Sequence, residues 1–178
     1  MNNEKYEDII LRELTLEDYD DFYNYVTEED IAEQFLFNHD KESANKRLNE
    51  LVSRYKEENK PFVWAIAKGD TNELVGIISF DNVDLNNKSF SIAYGVRKEF
   101  CQHNYAYKAT KILVDYAFNQ LDMHRFEIAC NVDNMASKMT IEKLGATLEG
   151  ICRESKLYKN EFKDRYIYSI LKNEWKLK

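Results

Sequence analysis

Asn131-Val-Asp-Asn134-Met-Ala-Ser137 is the stretch whose reading decides the fold. Ahead of it, residues 125–130 place Phe126, Ile128 and Cys130 on one side, the period of a half-buried strand. Behind it, a helical stretch is stopped by Gly145, the residue type best suited to a helix end. Strand, polar turn and helix therefore meet at two amides and a hydroxyl. Open α/β sheets bind polar ligands at such carboxyl ends of strands. Asn and Ser also cap helices, which accounts for each residue singly. Asn131, Asn134 and Ser137 together at one junction favour a ligand role.

Working outward, residues 9–14 read as a strand, followed by Thr15-Leu-Glu-Asp18, a capping box that opens a helix with Leu16, Tyr19, Phe22, Tyr23 and Val26 on one face. Ser43 is a cap for a second helix with the stripe Ala44, Leu48, Leu51, Val52 and Tyr55. Between them, Phe35, Leu36, Phe37 and His39 form an apolar patch in a polar connection. Three strands are expected at residues 62–67, 74–80 and 89–96, joined by turns at 69–72 and 84–88. A helix at residues 105–121 presents Ala109, Ile112, Leu113, Tyr116 and Ala117. Two last strands, 146–153 and 164–171, flank a polar hairpin at 159–163. The order β-α-α-β-β-β-α-β-α-β-β indicates an α/β (α+β) fold with a mixed, mostly antiparallel central sheet and about four flanking helices.

Between the third of these strands and the next helix, residues 97–104 feed a loop into the helix start at Tyr105-Ala106. A helix start gathers unpaired N–H groups and the positive end of the dipole, which suits phosphate oxygens. Arg97, Lys98, Lys108 and Lys111 against Glu99 reverse the local charge of an acidic chain. A solvated surface helix explains the same charges equally well.

Residues 94–121, with Glu99-Phe100 ahead of the loop, resemble the acetyl-CoA-binding motif of the GNAT superfamily of N-acetyltransferases. Within it they are most similar to the RimJ/RimL-type branch, which acetylates ribosomal protein N-termini and various small amines. The resemblance continues through Asn131, Asn134, Ala136-Ser137, Glu142-Lys143-Leu144-Gly145, Glu149-Gly150, Arg153, Asp164 and Trp175, so that it covers residues 9–175. It implies the GNAT acyl-CoA N-acyltransferase fold over a single domain, 1–178. It also implies acetyl-CoA as co-substrate, no metal, and a primary amine as acceptor, either a small cationic molecule or a peptide N-terminus. The implied cofactor-binding residues are Tyr94, Val96, Arg97, Gln102, His103, Asn104, Tyr105, Ala106, Asn134 and Ser137. The strand at Tyr94–Val96 would pair with the pantetheine arm, Asn134 would bond it, and Ser137 would sit near the sulfur as proton donor to the leaving thiolate, the candidate catalytic residue. Backbone N–H near Val96 would hold the oxyanion as a neutral amine attacks the thioester directly.

The sequence departs from the family pattern at two places. Cys101 and Asn104 stand where the loop usually has Gln or Arg and Gly, and Gln102 where Gly is often found. Asn tolerates the left-handed backbone that Gly adopts freely; Gln does so less readily. Ser91 stands where the branch often carries Glu, which leaves a water chain or a residue such as Glu149 as base. These departures motivate an alternative from another class, a catalytically impaired GNAT-fold binding or regulatory domain. Cys101 and His103, two apart at a helix start, also suggest a reactive thiol, but no third orienting group accompanies them.

Composition sets the outer bounds. With 44% hydrophobic residues, one Pro and five Gly in 178 residues, the chain has material for one core and little for a linker. A net charge of −7 disfavours nucleic acid and favours a cationic partner. The polar start without an apolar core reads as lacking a signal peptide, no run is long enough to span a bilayer, and three scattered cysteines suit a reducing compartment. The expected location is cytoplasmic, with no membrane partner and with room for a homodimer.

Overall fold

The computed structural model describes residues 6–35, 39–55 and 63–175. Leu36 and Phe37 of the expected apolar patch lie outside the described residues, as does Phe62. Among the described residues seven strands, β1 (Ile9–Arg12), β2 (Val63–Lys68), β3 (Leu74–Asp84), β4 (Ser89–Val96), β5 (Arg125–Asn131), β6 (Thr147–Tyr158) and β7 (Glu161–Leu171), hydrogen-bond in the order β1-β2-β3-β4-β5-β7-β6. Six helices among the described residues accompany them: α1 (Tyr19–Thr27), α2 (Glu29–Phe35), α3 (Lys41–Arg54), α4 (Tyr105–Asn119), α5 (Met135–Lys143) and α6 (Lys172–Trp175). By contact density the chain divides into two compact units, Met1–Phe80 with Ala93–Ile112, and Asp81–Ile92 with Leu113–Lys178.

In the first unit, β1 pairs antiparallel with β2, and β2 with β3. The core beside them is built by Leu14, Phe22, Tyr25, Val26, Leu48 and Leu74. The capping box forms as read: the Thr15 amide donates to Asp18 Oδ2 at 2.8 Å. Burial opposes ionisation of Asp18, but a bidentate bond from Arg12 (2.8 and 2.6 Å) and the Thr15 amide outweigh it and hold its carboxyl below the usual range. A 3₁₀ turn at Leu16–Asp18 precedes α1 and shifts its phase. Leu16 is thereby left exposed, and the buried stripe becomes Phe22, Tyr25 and Val26. α2 occupies much of the polar connection between the first two expected helices, and α3 is capped by Asp40, which accepts from the Ser43 amide at 2.7 Å. Ser43 is inside the helix because the polar Lys41 and Glu42 already belong to its first turn.

In the second unit, β4 pairs parallel with β5 through Ser89↔Arg125, Phe90↔Phe126 and Ser91↔Glu127. Phe90 stacks on Phe126 with centroids 5.1 Å apart and meets the edge of Phe118 of α4 at 5.5 Å. β5 and β6 both pair antiparallel with β7. The final strands are longer than expected. Lys159 (φ 48°) and Asn160 (φ 61°) make a two-residue turn, and two residues with positive φ suit the twist of the strands they join.

Two features of this framework are testable. A Cβ at Gly76 would lie 2.3 Å from the carbonyl oxygen of Gly95 and 3.0 Å from Cα of Val96, backbone that has no rotamer to yield. Gly76→Ala is therefore expected to cost about 1–3 kcal/mol in urea unfolding. Asp122 Oδ1 accepts from Lys172 and Oδ2 from Lys88, each at 2.6 Å, and these bonds pull its pKa from 3.8 down to about 2. A depressed carboxylate contributes stability above its unfolded pKa and loses it as pH falls through the folded value. The difference in Tm between the parent and Asp122→Asn should accordingly be constant above about pH 4 and shrink between about pH 4 and pH 2.

Candidate functional site

The end of β4 is fixed by groups remote in sequence. The Arg97 amide donates to Val75 O at 2.8 Å. Its guanidinium, only 8% exposed, donates through Nη1 to Leu74 O at 3.0 Å and Asp21 Oδ1 at 3.1 Å, with Glu73 Oε1 at 3.6 Å. Nη2 bonds Glu99, and the guanidinium lies 4.9 Å above the Phe100 ring. The next amide, of Lys98, is taken by both oxygens of Glu28 at 2.9 Å. Gly95 is required because a Cβ there would lie 2.6 Å from the Tyr25 hydroxyl and from Ile31 Cδ1. Tyr25 is wholly buried, and burial followed by the charge of Glu28 drives its phenol far above the ordinary range, so it stays neutral.

Beyond a short 3₁₀ turn at Lys98–Phe100, the loop enters α4. Gln102 has φ 73° and Asn104 φ 61°, the left-handed backbone that Gly adopts without strain. His103 pins the loop between them. Its Nδ1 lies 3.2 Å from Phe100 O and 3.1 Å from Cys101 O, so Nδ1 carries the proton, and its ring stacks on Tyr105 at 5.5 Å. Asn104 O accepts the Lys108 amide at 2.9 Å, the first intrahelical bond. The amides that follow Asn104 belong to the turn that a helix leaves without internal acceptors. A helix start of this kind suits an anion.

The cations read around this loop are differently employed. Arg97 faces carboxylates, and Lys108 is paired with Asp8. Lys98 is exposed. The thiol of Cys101 is pushed up, first by burial and then by Glu28, which removes the thiolate a nucleophile needs.

In the second unit, Asn134 caps α5, its Oδ1 accepting from the Ser137 amide at 3.0 Å. The Asn134 amide donates to Asn131 O at 3.0 Å, and the Val132 amide to Asp164 O at 3.0 Å, so the turn is held at both ends. Capping uses the oxygen of the Asn134 side chain; its two N–H donors are at the other atom. Ser137 is half-buried and its hydroxyl is a hydrogen-bond donor toward the buried thiol of Cys130, whose pKa burial raises. Tyr168 donates to Glu142 Oε1 at 3.2 Å and is raised to about 12 by burial and then by that bond. Glu149 receives Ser169 Oγ at 2.5 Å and Arg125 Nη2 at 3.0 Å; these bonds, Ser169 first, hold its carboxyl below the usual range and make it a weak base. Ser91 is in register with Glu127, which is bonded by Arg125 Nε at 2.7 Å.

Sequence reasoning missed Asp21, Tyr25 and Glu28. Their partners lie roughly 50 to 80 positions away along the chain, and no local period signals such pairing.

Comparison with known proteins bears on the whole chain. Residues 8–147 match the family model described as an acetyltransferase (GNAT) domain. The uncharacterized N-acetyltransferase p20 of Bacillus licheniformis is 24% identical over 170 residues, spanning 95% of this chain and 96% of the relative. The ribosomal-protein-serine acetyltransferase of Escherichia coli (strain K12) is 26% identical over 98 residues, 55% of each chain. A solved GNAT-family acetyltransferase from Bacillus anthracis superposes with a TM-score of 0.79 at 21% identity, over 95% of this chain and 98% of that one, a likeness of fold.

The left-handed loop supplies its own test. A non-Gly residue in that region costs about 1–2 kcal/mol, so Gln102→Gly should raise stability by about 1 kcal/mol after the extra chain entropy of Gly is deducted. Gln102→Val, β-branched, should lower it by a comparable amount. Urea unfolding of the three proteins reads both.

Proposed function

The chain belongs to the GNAT acetyltransferase family, and on that premise we propose that it moves an acetyl group from acetyl-CoA to a primary amine by direct attack within a ternary complex. The single observation that carries the reading furthest is the loop of residues 101–104. Gln102 and Asn104 keep the backbone shape of glycines although neither is one, which suits amides converging on a diphosphate. Phosphate binding is therefore assigned to N–H groups of Gln102, His103, Asn104, Tyr105 and Ala106 rather than to the side chain of Arg97, which serves as a positioning residue.

The other assignments follow by chemistry. The β4 backbone at Tyr94 and Val96 is assigned to the extended pantetheine arm, as a peptide would add to a strand. Asn134 keeps its Nδ2 donors for an amide carbonyl while Oδ1 caps α5. Acetyl-CoA supplies the activated acetyl thioester. Backbone N–H near Val96 stabilises the oxyanion, and Ser137 donates a proton to the leaving sulfur. Oε1 of Glu149 is taken by Ser169 and Arg125, so the amine is assigned to enter already neutral, its proton given up to bulk buffer before it attacks. The alternative of a non-catalytic binding domain gains nothing from the loop, whose backbone is intact.

The acceptor is proposed to be a small cationic amine or a peptide N-terminus. The net charge of −7 supports a cationic acceptor, and the name of the E. coli relative supports a protein one. No helix among the described residues is long and apolar enough to cross a membrane. The free thiols Cys101, Cys130 and Cys152 suit a cytoplasmic setting.

Acetyl-CoA at 100 times its Kd should stabilise the protein by about 2.7 kcal/mol, and a screen of polyamines, amino acids, aminoglycosides and short peptides should find an acceptor that drives thiol release. An unmoved Tm sinks the reading. Ser137→Ala should keep the Tm shift and lose about 100-fold or more in kcat; an undiminished rate removes Ser137 as the acid.

A further inference from the structure

The phenol of Tyr25 is packed against the end of β4, and among the described residues no group bonds its hydroxyl. A hydroxyl taken out of water without a partner costs free energy, and buried tyrosines ordinarily find one. Other tyrosines of the first unit conform. Tyr55 donates to Val63 O at 2.7 Å and accepts from the Leu14 amide at 3.1 Å, and Tyr19 donates to Lys41 O at 3.2 Å. For Tyr25, burial and the charge of Glu28 are what bear on its ionisation, with no hydrogen bond beside them. The side-chain oxygen sealed off entirely without a partner, among the described residues, is Thr110 Oγ1. Tyr25 is 2% exposed, so the ring is packed away while a crevice still reaches the hydroxyl. Phe would pack on Phe22, 6.4 Å away between centroids, just as well and without that cost.

The hydroxyl stands at the peptide that joins Gly95 to Val96. A Cβ on Gly95 would lie 2.6 Å from it and 2.6 Å from Ile31 Cδ1, so Tyr25 supplies a polar atom beside an apolar wall. On the neighbouring strand, a Cβ on Gly76 would lie 2.3 Å from Gly95 O, so this carbonyl is turned against β3. No peptide bond among the described residues is cis, and in a planar trans peptide N–H and C=O point in opposite directions. The Val96 N–H is therefore aimed away from β3. The next amide does the reverse, Arg97 donating to Val75 O of β3 at 2.8 Å. A main-chain donor and a phenol donor thus flank one peptide of β4.

We propose that the Tyr25 hydroxyl is the second donor of the oxyanion hole, beside the Val96 N–H; the inference rests on the acetyl transfer proposed above. As the lone pair of the neutral amine forms the new C–N bond, the π electrons of the thioester carbonyl pass to its oxygen, where both donors hold the charge. The pair returns to re-form the carbonyl as the C–S bond breaks and the sulfur leaves with its electrons. The proton lost by the nitrogen balances the one taken up by the sulfur. No bond to Tyr25 forms or breaks. Donors stabilise such an oxygen best when they are fixed in advance and shielded from water. The Tyr25 ring is locked in the core, and burial with the charge of Glu28 keeps the proton on it. The same surroundings do not suit an ammonium: Ile31 is apolar, and both oxygens of Glu28 are already taken by the Lys98 amide.

Tyr25→Phe removes the hydroxyl and keeps the ring. Its urea midpoint should be no lower than the parent's and its acetyl-CoA shift of Tm unchanged, while kcat for thiol release falls about 100-fold or more at unchanged KM for the amine. Infrared difference spectra with acetyl-CoA isotope-labelled at the acetyl carbonyl read the contact without any acceptor. The carbonyl band should lie at lower wavenumber on the parent than on Tyr25→Phe, because a hydrogen bond to the oxygen weakens the C=O bond. Tyr55→Phe, which removes a bonded hydroxyl, should show the converse pattern, a lower urea midpoint with kcat unchanged. A Tyr25→Phe protein that keeps both its rate and its carbonyl band overturns the proposal, the hydroxyl then holding water alone. So does a loss confined to a raised KM for the amine, or a fall in stability like that of Tyr55→Phe. A parent that neither shifts its Tm with acetyl-CoA nor releases thiol sinks the acetyl-transfer reading itself, and this inference with it.

Discussion

The buried guanidinium of Arg97 is the interaction on which the first unit depends. It stands where β4 ends, and it gathers α1 through Asp21, the start of β3 through Glu73 and Leu74 O, and the turn ahead of α4 through Glu99. An ion pair taken out of water returns little net free energy, because desolvation cancels most of the attraction. Its removal on one side is costly for the same reason, since the remaining charges are left uncompensated. Arg97 is therefore better understood as fixing register than as adding stability. With the Val75 carbonyl on its amide and Glu28 on the next one, the chain has a single place to leave the sheet, and the loop begins from a fixed point.

This explains why the sequence was legible in some places and opaque in others. β4 was read to the residue, β5 within one, and the Gly145 stop is present with φ 75°. Each rests on a local period or a local backbone demand. The capping box of Thr15 and Asp18 is equally local. Arg97 was read as a phosphate cation because charge counted along the chain takes no account of Asp21, 76 positions away. Ser43 is read as the cap of α3 where Asp40 serves instead, since both residue types cap and only the path of the chain decides which one does. Leu16 was assigned to a buried face because the 3₁₀ turn that rotates it outward leaves no mark on an apolar period. The last hairpin reads as a five-residue connection where two residues suffice, since Lys159 at positive φ has no signature of the kind Asn or Gly gives.

The site in the second unit was more legible in residue type than in role. Asn134 does what its simplest reading required, capping α5, and this fixes the direction of its Nδ2 donors rather than competing with a ligand role. Glu149 is a clearer case of chemistry set by partners: a carboxylate with a hydroxyl and a guanidinium on one oxygen favours its ionised form and gives up proton affinity. The hydroxyl of Ser137, uncharged, bonds the thiol of Cys130 and opposes the upward push of burial on it.

Why the loop should keep a strained shape is the remaining question. Helix initiation does not ask for it: α3 begins at Asp40 with φ −98° and ψ 153°, the extended geometry usual for a cap. The corresponding residue of α4, Asn104, is at φ 61° instead, and Gln102 two positions earlier repeats the departure. Elsewhere in the chain left-handed residues such as Asn72 and the pair Lys159 and Asn160 close tight turns, where the path of the backbone demands them. At the start of α4 no tight reversal between strands makes that demand. Instead the His103 ring, bonded to two carbonyls and stacked on Tyr105, holds the loop in place from the side. A conformation that costs free energy, is not needed for the helix and is braced by a dedicated side chain is a feature that accompanies functional loops, and it suits the phosphate-binding role proposed for this one.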